Sequence, residues 1–353
     1  MPAMQRLPLA AVAALLLLAP WSADAQAPAN LTLTAVDGLK VGHVTLAGRP
    51  TGCTVILTDG TAIGGVAQMG GAPGTRETDL LDPVNMVDKV DAIVLSGGSA
   101  YGLDAATGVM RWLEEHDRGW DVKIAKVPIV PAAILFDLAV GGDPAIRPDA
   151  RCGFDAAERA TGDPVTEGSV GAGAGATVGK LGGFDRAMRG GLGSFAIRMP
   201  NGLVVAAIVA VNAVGDIVDP DTGTIVAGVR GKDGKTFADA RQVLRSGAFA
   251  RPPPGANTTI AVVATNAKLT KAEAGRIAIM ANDALARTIY PAHTMGDGDT
   301  VFSLATGRWD GQAEVTLIGA LAADALARAI IRGVQQATGL TGIPAARDLE
   351  PAR

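Results

Sequence analysis

The chain has 353 residues, of which 48% are apolar and 19% charged, and its formal net charge at pH 7 is −4. This composition is typical of a globular protein with a sizeable core, and the lack of a basic patch argues against nucleic acid as a partner. Two cysteines are too few for a disulfide scaffold, and scarce aromatic residues leave small aliphatic side chains to fill the interior.

The first 25 residues have the pattern of a secretory signal peptide. One arginine precedes an apolar run from Leu9 to Ala19, and small residues follow at Ala23 and Ala25. We expect cleavage after Ala25 and a periplasmic or secreted protein. The apolar run is too short for a comfortable membrane span, so we expect no membrane association after removal of the signal; an uncleaved anchor is the alternative.

Strand-like and helix-like segments alternate after residue 30. Short apolar, β-branched runs predict strands over residues 53–58, 91–98 and 122–127. Helical spacing of apolar residues predicts helices over residues 103–115 and 149–160. Further along, Pro200, Asn201 and Gly202 separate two apolar runs, which predicts a hairpin in a buried sheet.

Cys53 and Cys152 are the two cysteines of the chain. Neither lies in a spacing typical of a metal or redox site. We expect buried, unreactive thiols, although an exported protein would tolerate one bridge between them.

The glycine-rich stretch "GSVGAGAGATVGKLGG" lacks the spacing of a nucleotide-binding loop. A P-loop requires glycine six residues before its lysine and serine or threonine after it, whereas Lys180 has Ala174 and Leu181 at those positions. We interpret the stretch as a region of close backbone approach or a flexible wall near a site.

Residues 251–266, "RPPPGANTTIAVVATN", join a proline-rich segment to a β-branched run. Proline cannot take part in a central sheet ladder, so we expect an exposed linker that ends at Asn257. The run that follows predicts a buried strand.

Two helices are predicted after this strand. Thr270 and Glu273 have the spacing of a capping box and begin a predicted helix over residues 271–289. The last helix is predicted to start near residues 311–314 and to end by Gly339. Strands mixed with long helices indicate an α+β fold in which helices pack on sheets.

Histidine-based catalysis has little support, because the chain has three histidines and no GxSxG motif. A metal-dependent hydrolase that uses His293, Asp297 and Asp299 is an alternative, but carboxylates near glycine also mark plain turns.

Nucleophilic catalysis by a threonine remains. A threonine hydroxyl needs a base, and the α-amine of the same residue, with a pKa of about 7.7–8.0, suits that role. An internal threonine gains this amine only if the chain is cut directly before it.

Six blocks in order cover most of the chain from about Gly38 to Gly339: "GGAPGTRETDLLDP", "VLSGGSAYGLDAATGV", "VPIVPAAILFDL", "GSVGAGAGATVGK", "NTTIAVVATNAKLTK" and "DGDTVFSLATG". With these blocks the sequence resembles the DmpA-type self-processing hydrolases, which include L-aminopeptidase/D-esterases, β-peptidyl aminopeptidases and nylon-oligomer hydrolases. The resemblance implies a four-layer α/β/β/α sandwich similar to N-terminal-nucleophile hydrolases. It also implies self-cleavage of residues 26–353 into chains 26–257 and 258–353, no cofactor, and tetramers of processed pairs.

Carried over residue by residue, the resemblance implies cleavage between Asn257 and Thr258, with Thr258 as the nucleophile. Thr259 becomes the nucleophile if the alignment is shifted by one residue. Asn212 matches the family residue that assists the oxyanion; its structural alternative is a satisfied core asparagine.

Asp297 and Asp299 match the acidic pair of the family, which can orient the new amine or the hydroxyl and attract the amino group of a substrate. Aminopeptidase members carry Ser and Glu here, whereas nylon-oligomer enzymes carry two Asp and a Thr nucleophile, as this sequence does. Lys180 matches a lysine near the nucleophile, whose charge favours the free amine; its alternative is a solvated loop residue.

Phe136 departs from the family pattern, because many members have Tyr at this position. A phenolic donor to the oxyanion is therefore missing, and we expect either a neighbouring backbone N–H in its place or a changed rate and substrate preference. The resemblance implies an amide hydrolase that acts on short peptides, β-peptides or ω-amino acid oligomers. The alternative is an uncleaved binding protein of the same fold.

Overall fold

A computed structural model describes residues 30–250 and 255–349 of the chain. The expected signal peptide and residues 251–254 of the proline-rich linker lie outside these residues. None of the helices in the described ranges has the length and apolar character needed to cross a bilayer.

The described residues form strands of two to nine residues and helices of up to 22 residues. The strands are β1 (Lys40–Thr45), β2 (Gly52–Leu57), β3 (Ile63–Gln68), β4 (Thr75–Arg76), β5 (Ala92–Ser96), β6 (Trp120–Asp121), β7 (Lys126–Val127), β8 (Ala132–Ile134), β9 (Thr177–Val178), β10 (Met188–Arg189), β11 (Gly191–Arg198), β12 (Val204–Asn212), β13 (Asp216–Val218), β14 (Ile225–Ala227), β15 (Thr258–Thr265), β16 (Ile289–Tyr290) and β17 (Thr300–Ala305). The α-helices are α1 (Ala105–Glu115), α2 (Ala150–Glu158), α3 (Ala240–Arg245), α4 (Lys271–Ala281), α5 (Asp283–Thr288) and α6 (Val315–Gln336).

Two five-stranded sheets dominate the described part of the chain. The first has the order β1-β2-β5-β8-β4 and the second the order β11-β12-β15-β17-β3. Neighbouring strands are antiparallel except for one parallel pair in each sheet, β5 with β8 and β15 with β17. Smaller sheets pair β9 with β10, β6 with β7, and β13 with β14 and β16.

The two large sheets lie between two layers of helices. Ile93 and Leu95 of β5 pack toward the second sheet, whereas Val94 packs toward α1 and α2. On the other side, Ile208 of β12 packs toward the first sheet and Val209 toward the layer of α4, α5 and α6. Both central strands are therefore buried on both faces, which explains their continuous apolar sequences. The expected α/β/β/α sandwich is confirmed.

Most predicted elements are present. The runs at residues 53–58 and 91–98 form β2 and β5, and the helices predicted at 103–115 and 149–160 are α1 and α2. Pro200, Asn201 and Gly202 lie between antiparallel β11 and β12, which confirms the hairpin. Thr270 and Glu273 make both hydrogen bonds of a capping box, and α6 lies within its predicted range.

Two predicted elements differ from the structure. Residues 122–127 are not one strand but the turn and second strand of a small β6–β7 hairpin, with Lys123 at φ +73° and Ile124 exposed at its tip. A short apolar run cannot distinguish a strand from a turn with an exposed isoleucine. The helix predicted over residues 271–289 is interrupted at Asn282, whose side-chain amide donates to the carbonyl of Ala278 at 2.9 Å.

Cys53 and Cys152 form a disulfide, so the expectation of free thiols was wrong. Cys53 is in β2, and Cys152 is in the first turn of α2, which packs on that strand. Their Cα atoms are 6.3 Å apart although 99 positions separate them in the sequence. This proximity arises from helix packing on the sheet, which the spacing of two cysteines does not reveal.

Candidate active site

Thr258 is the first residue of β15 and lies opposite Asn212, the last residue of β12, in the antiparallel ladder. Both residues are buried, and Thr258 is only 1% exposed. The Asn257–Thr258 peptide bond is intact in this structure, and the Thr258 hydroxyl contacts the carbonyl oxygen of Asn257. The predicted nucleophile therefore lies against the bond that it is expected to break.

The end of the proline-rich linker is buried rather than exposed. Ala256 is 6% exposed and Asn257 is fully buried, in contrast to the exposed linker end that the prolines predict. Asn257 forms a parallel bridge with Asp297, and its carbonyl oxygen accepts a hydrogen bond of 3.0 Å from the backbone N–H of Gly298. This bridge brings the linker end into the interior, since backbone polar groups need partners there.

Asn212 has hydrogen-bond partners on both ends of its amide. Its Oδ1 atom accepts from the backbone N–H of Thr177 and from Lys180 Nζ, each at 2.9 Å. Its Nδ2 atom donates to the backbone carbonyl of Phe136 at 3.0 Å. In the uncut chain the amide is thus a satisfied buried group, and Phe136 enters the site through its main chain.

Lys180 is buried beside Asn212 rather than solvated. Its Nζ atom donates to the Asn212 carbonyl at 3.0 Å and to the Ala256 carbonyl at 3.4 Å, in addition to Asn212 Oδ1. Burial lowers the pKa of Lys180 to about 7, against the opposing charge of Asp297. The Lys180 amine therefore gains or loses its proton near neutral pH. Its contact with the Ala256 carbonyl places it one residue before Asn257, where cleavage is expected.

Asp297 and Asp299 are both 2% exposed and flank Gly298. Asp297 accepts a hydrogen bond of 2.8 Å from the backbone N–H of Thr294. Burial, together with the charge of Asp299, raises the pKa of Asp297 to about 6. Asp299 accepts the backbone N–H of Thr259 at 2.7 Å. Among the hydrogen bonds of residues 30–250 and 255–349, neither carboxylate binds Thr258 itself; Asp299 holds the residue that follows it.

His293 has a role that the sequence did not indicate. Its backbone N–H and its Nδ1 atom both lie 3.0 Å from Asp299 Oδ2 and donate to it. Burial alone would lower the pKa of His293, but the hydrogen bond and charge of Asp299 raise it above its usual value. The described residues contain no group of three His, Cys, Asp or Glu side chains that could hold a metal ion, so the geometry gives the metal-site alternative no support. The one sequence feature that could have indicated this contact is the position of His293, six residues before Asp299.

The glycine-rich stretch supplies Thr177 and Lys180 to the site. Residues 171–181 are buried throughout, and the expected close backbone approach is confirmed. Gly179 has φ +74°, and a Cβ atom there would lie 2.1 Å from the backbone of Gly228. Only glycine fits this position.

A buried ion pair behind Phe136 also escaped the sequence analysis. Asp137 accepts from Arg49 Nη2 at 3.0 Å, from Thr51 Oγ1 at 2.6 Å and from the backbone N–H of Gly98 at 2.9 Å. Arg49 and Asp137 are both fully buried as side chains. The ion pair fixes the position of Asp137 and of the preceding residue, Phe136, whose backbone carbonyl accepts the hydrogen bond from the Asn212 side chain.

Comparison with known proteins shows which family the chain is similar to. The sequence profile of peptidase family S58 matches residues 32–347. An uncharacterized aminopeptidase of Mycobacterium tuberculosis is 46% identical over 349 residues, which cover 91% of this chain and 98% of that protein. A 6-aminohexanoate-oligomer endohydrolase of Paenarthrobacter ureafaciens is 32% identical over 281 residues, which cover 77% and 74% of the two chains.

The same fold occurs in a solved structure. An L-aminopeptidase D-Ala-esterase/amidase from Ochrobactrum anthropi, described as a variant of the Ntn-hydrolase fold, has a TM-score of 0.65 at 18% identity, with 90% of this chain and 91% of that chain covered. At this identity the similarity shows the fold alone. Together with the profile match, these relatives show that the chain belongs to peptidase family S58, the DmpA-type hydrolases.

Proposed function

We propose that the protein is an exported, self-activating amide hydrolase with Thr258 as its nucleophile. The observation that carries the proposal is the contact between the Thr258 hydroxyl and the Asn257 carbonyl group. Family membership supports a peptidase or amidohydrolase. The contact supports Thr258 as the nucleophile and the Asn257–Thr258 bond as the first bond that it attacks.

Cleavage by the chain itself fits the burial of this bond. Thr258 and Asn257 are at most 1% exposed, so another protease could not reach the bond without local unfolding. The hydroxyl oxygen adds to the Asn257 carbonyl carbon, the bond to the Thr258 nitrogen breaks, and that nitrogen receives the hydroxyl proton. Water then hydrolyses the resulting ester and leaves a free amine on Thr258 and a carboxylate on Asn257.

The side chain of Asn257 supports release of this segment. Its amide oxygen and nitrogen are both buried without a hydrogen-bond partner among the described residues. An unpaired buried polar group costs roughly 1–3 kcal/mol. Departure of the cut end into solvent relieves this cost and opens space in front of the nucleophile.

In the processed enzyme, the α-amine of Thr258 acts as the base for its own hydroxyl, and acylation releases the amine part of a substrate amide. We propose short peptides, β-peptides or ω-amino acid oligomers as substrates. The two buried carboxylates favour a substrate with a free amino group, and the similarity to a 6-aminohexanoate-oligomer endohydrolase supports nylon-type oligomers.

Export is part of the proposal. The disulfide between Cys53 and Cys152 supports it, because disulfides persist mainly in oxidising compartments. Protein recovered from a periplasmic or culture fraction should begin at Gln26. We also propose tetramers of processed pairs, for which light scattering of the processed protein is the test.

Substitutions at two adjacent threonines test the nucleophile. Thr258→Ala should yield a single uncut chain without amidase activity, whereas Thr258→Ser should still be cut, because serine keeps the hydroxyl. Thr259→Val is the matched control and should be processed, since Thr259 Oγ1 has no hydrogen-bond partner among the described residues.

Mass spectrometry of the wild-type protein should find pieces that end at Asn257 and start at Thr258. A wild-type chain that stays intact after long incubation would favour the uncleaved binding protein.

A further inference from the structure

The carbonyl group of Asn257 is held by a backbone donor that the sequence analysis did not include. The N–H of Gly298 donates to the Asn257 oxygen at 3.0 Å, next to the parallel bridge between Asn257 and Asp297. The Thr258 hydroxyl contacts the same carbonyl group. Nucleophile and donor thus meet at one carbonyl.

This donor lies where negative charge develops during cleavage. When the hydroxyl oxygen adds to the carbonyl carbon, the electron pair of the C=O bond moves to oxygen, and it returns when the C–N bond breaks. A donor placed about 2.7–3.1 Å from the oxyanion stabilises this intermediate without reorganisation. The carbonyl oxygen moves little on addition, so the Gly298 N–H meets this requirement in the uncut chain.

The other candidate donors have different partners. Asn212 Nδ2 donates to the Phe136 carbonyl, and Lys180 Nζ donates to Asn212 and to the Ala256 carbonyl. Among the hydrogen bonds of the described residues, Gly298 is the one backbone donor to the Asn257 carbonyl.

Neighbouring backbone bonds hold Gly298 in place. The carbonyl of Asp297 accepts from the N–H of Ala72 at 2.8 Å, and the carbonyl of Asp299 accepts from the N–H of Met69 at 3.0 Å. The Gly298 carbonyl itself accepts from Thr300 Oγ1 at 2.9 Å. A Cβ atom on Gly298 would lie 2.7 Å from the Ala72 oxygen and 3.0 Å from Thr258 Oγ1, so the position requires glycine.

We propose that the backbone N–H of Gly298 is the oxyanion donor for cleavage of the Asn257–Thr258 bond. Because the acyl carbonyl of a substrate must take the position of the Asn257 carbonyl, the same N–H then serves substrate hydrolysis. It supplies the hydrogen bond that Phe136, which lacks a hydroxyl group, cannot provide. This inference rests on the proposed function and names a further catalytic group for it.

An ester substitution in the backbone tests the donor. Cell-free synthesis with glycolic acid at position 298 replaces the Asp297–Gly298 amide by an ester, which removes this N–H and also weakens the Asp297 carbonyl as the acceptor for Ala72. The matched control places the same ester at position 296, where the N–H donates to Thr294 Oγ1 at 3.3 Å instead. We expect self-cleavage of the 298 ester to be slower than that of the 296 ester by about a hundredfold or more.

The outcomes separate this inference from the proposed function. Equal cleavage rates of the two esters would overturn the role of Gly298 and leave Thr258 as the nucleophile. Failure of the wild-type chain and the 296 ester to cleave would instead refute the proposed function.

A second measurement does not depend on folding of the ester variant. In the isotopically labelled, uncut Thr258→Ala chain, NMR should detect a scalar coupling across the hydrogen bond from the Gly298 nitrogen to the Asn257 carbonyl carbon. A coupling from Gly298 to any other carbonyl, or none, would overturn the inference.

Discussion

Thr258 and Asn212 face each other at the ends of two adjacent antiparallel strands, in a ladder that runs without interruption to the pair of Val205 and Thr265. Successive residues of a strand point to opposite faces. Thr258 therefore shares its face with Ile260, which packs between the two sheets, whereas Thr259 faces the opposite way. A shift of one residue would exchange the two hydroxyls, so the strand register decides which threonine lies opposite Asn212 and is the proposed nucleophile.

Replacement of Thr259 by valine should stabilise the protein. The Thr259 hydroxyl is buried and has no partner within residues 30–250 and 255–349, and valine has nearly the same shape without the polar atom. We expect the free energy of unfolding to rise by about 1 kcal/mol. Urea denaturation of the uncut Thr258→Ala chain, with and without Thr259→Val, measures the difference. A loss of stability would show that the hydroxyl has a partner.

Lys180 should make the stability of the uncut chain depend on pH. Its pKa is about 7 in the folded chain and has its ordinary value of 10.5 in the unfolded chain, so the unfolded chain binds more protons between these values. The free energy of unfolding of the Thr258→Ala chain should therefore increase from about pH 7 to pH 9, and the increase should be absent after Lys180→Met. Parallel curves for the two chains would contradict a lowered pKa.

His293 should contribute stability with the opposite dependence on pH. The pKa of His293 is raised in the folded chain, so its contribution is complete below the unfolded value of 6.5 and is lost as the pH rises through the folded value. In the Thr258→Ala background, His293→Gln should cost roughly 1–2 kcal/mol at about pH 6 and less at about pH 9. A constant cost in urea denaturation at both pH values would show that folding does not raise the pKa of His293.

The disulfide should contribute substantially to stability. It links residues 99 positions apart, and closure of a loop of this length restricts the unfolded chain. Cys53→Ala combined with Cys152→Ala should lower the free energy of unfolding by about 2–5 kcal/mol. As a control, a reducing agent should destabilise the wild-type protein by a similar amount and leave the double variant unchanged. Two free thiols in the unreduced, denatured wild-type protein would disprove the pairing.

Local patterns in the sequence were sufficient for much of the fold. Continuous apolar runs predict β12 and β15 because both strands are buried on two faces, and the spacing of Thr270 and Glu273 predicts the start of α4. The matching family blocks contain Thr258, Lys180 and the acidic pair, and the family resemblance also assigns a role to Asn212. These features depend on residues that are close together in the chain.

The arrangement of the site depended on tertiary contacts. Local sequence patterns do not predict four contacts of the structure. These are the bridge of Asn257 to Asp297, the hydrogen bond from Gly298 to Asn257, the contact of His293 with Asp299 and the Cys53–Cys152 disulfide. The prolines predict exposure of the linker end, but its pairing with the residues before β17 buries it. Apart from His293 and Asp299, which are six positions apart, the partners lie 40 to 99 positions apart and meet only when the two sheets and their helices pack together.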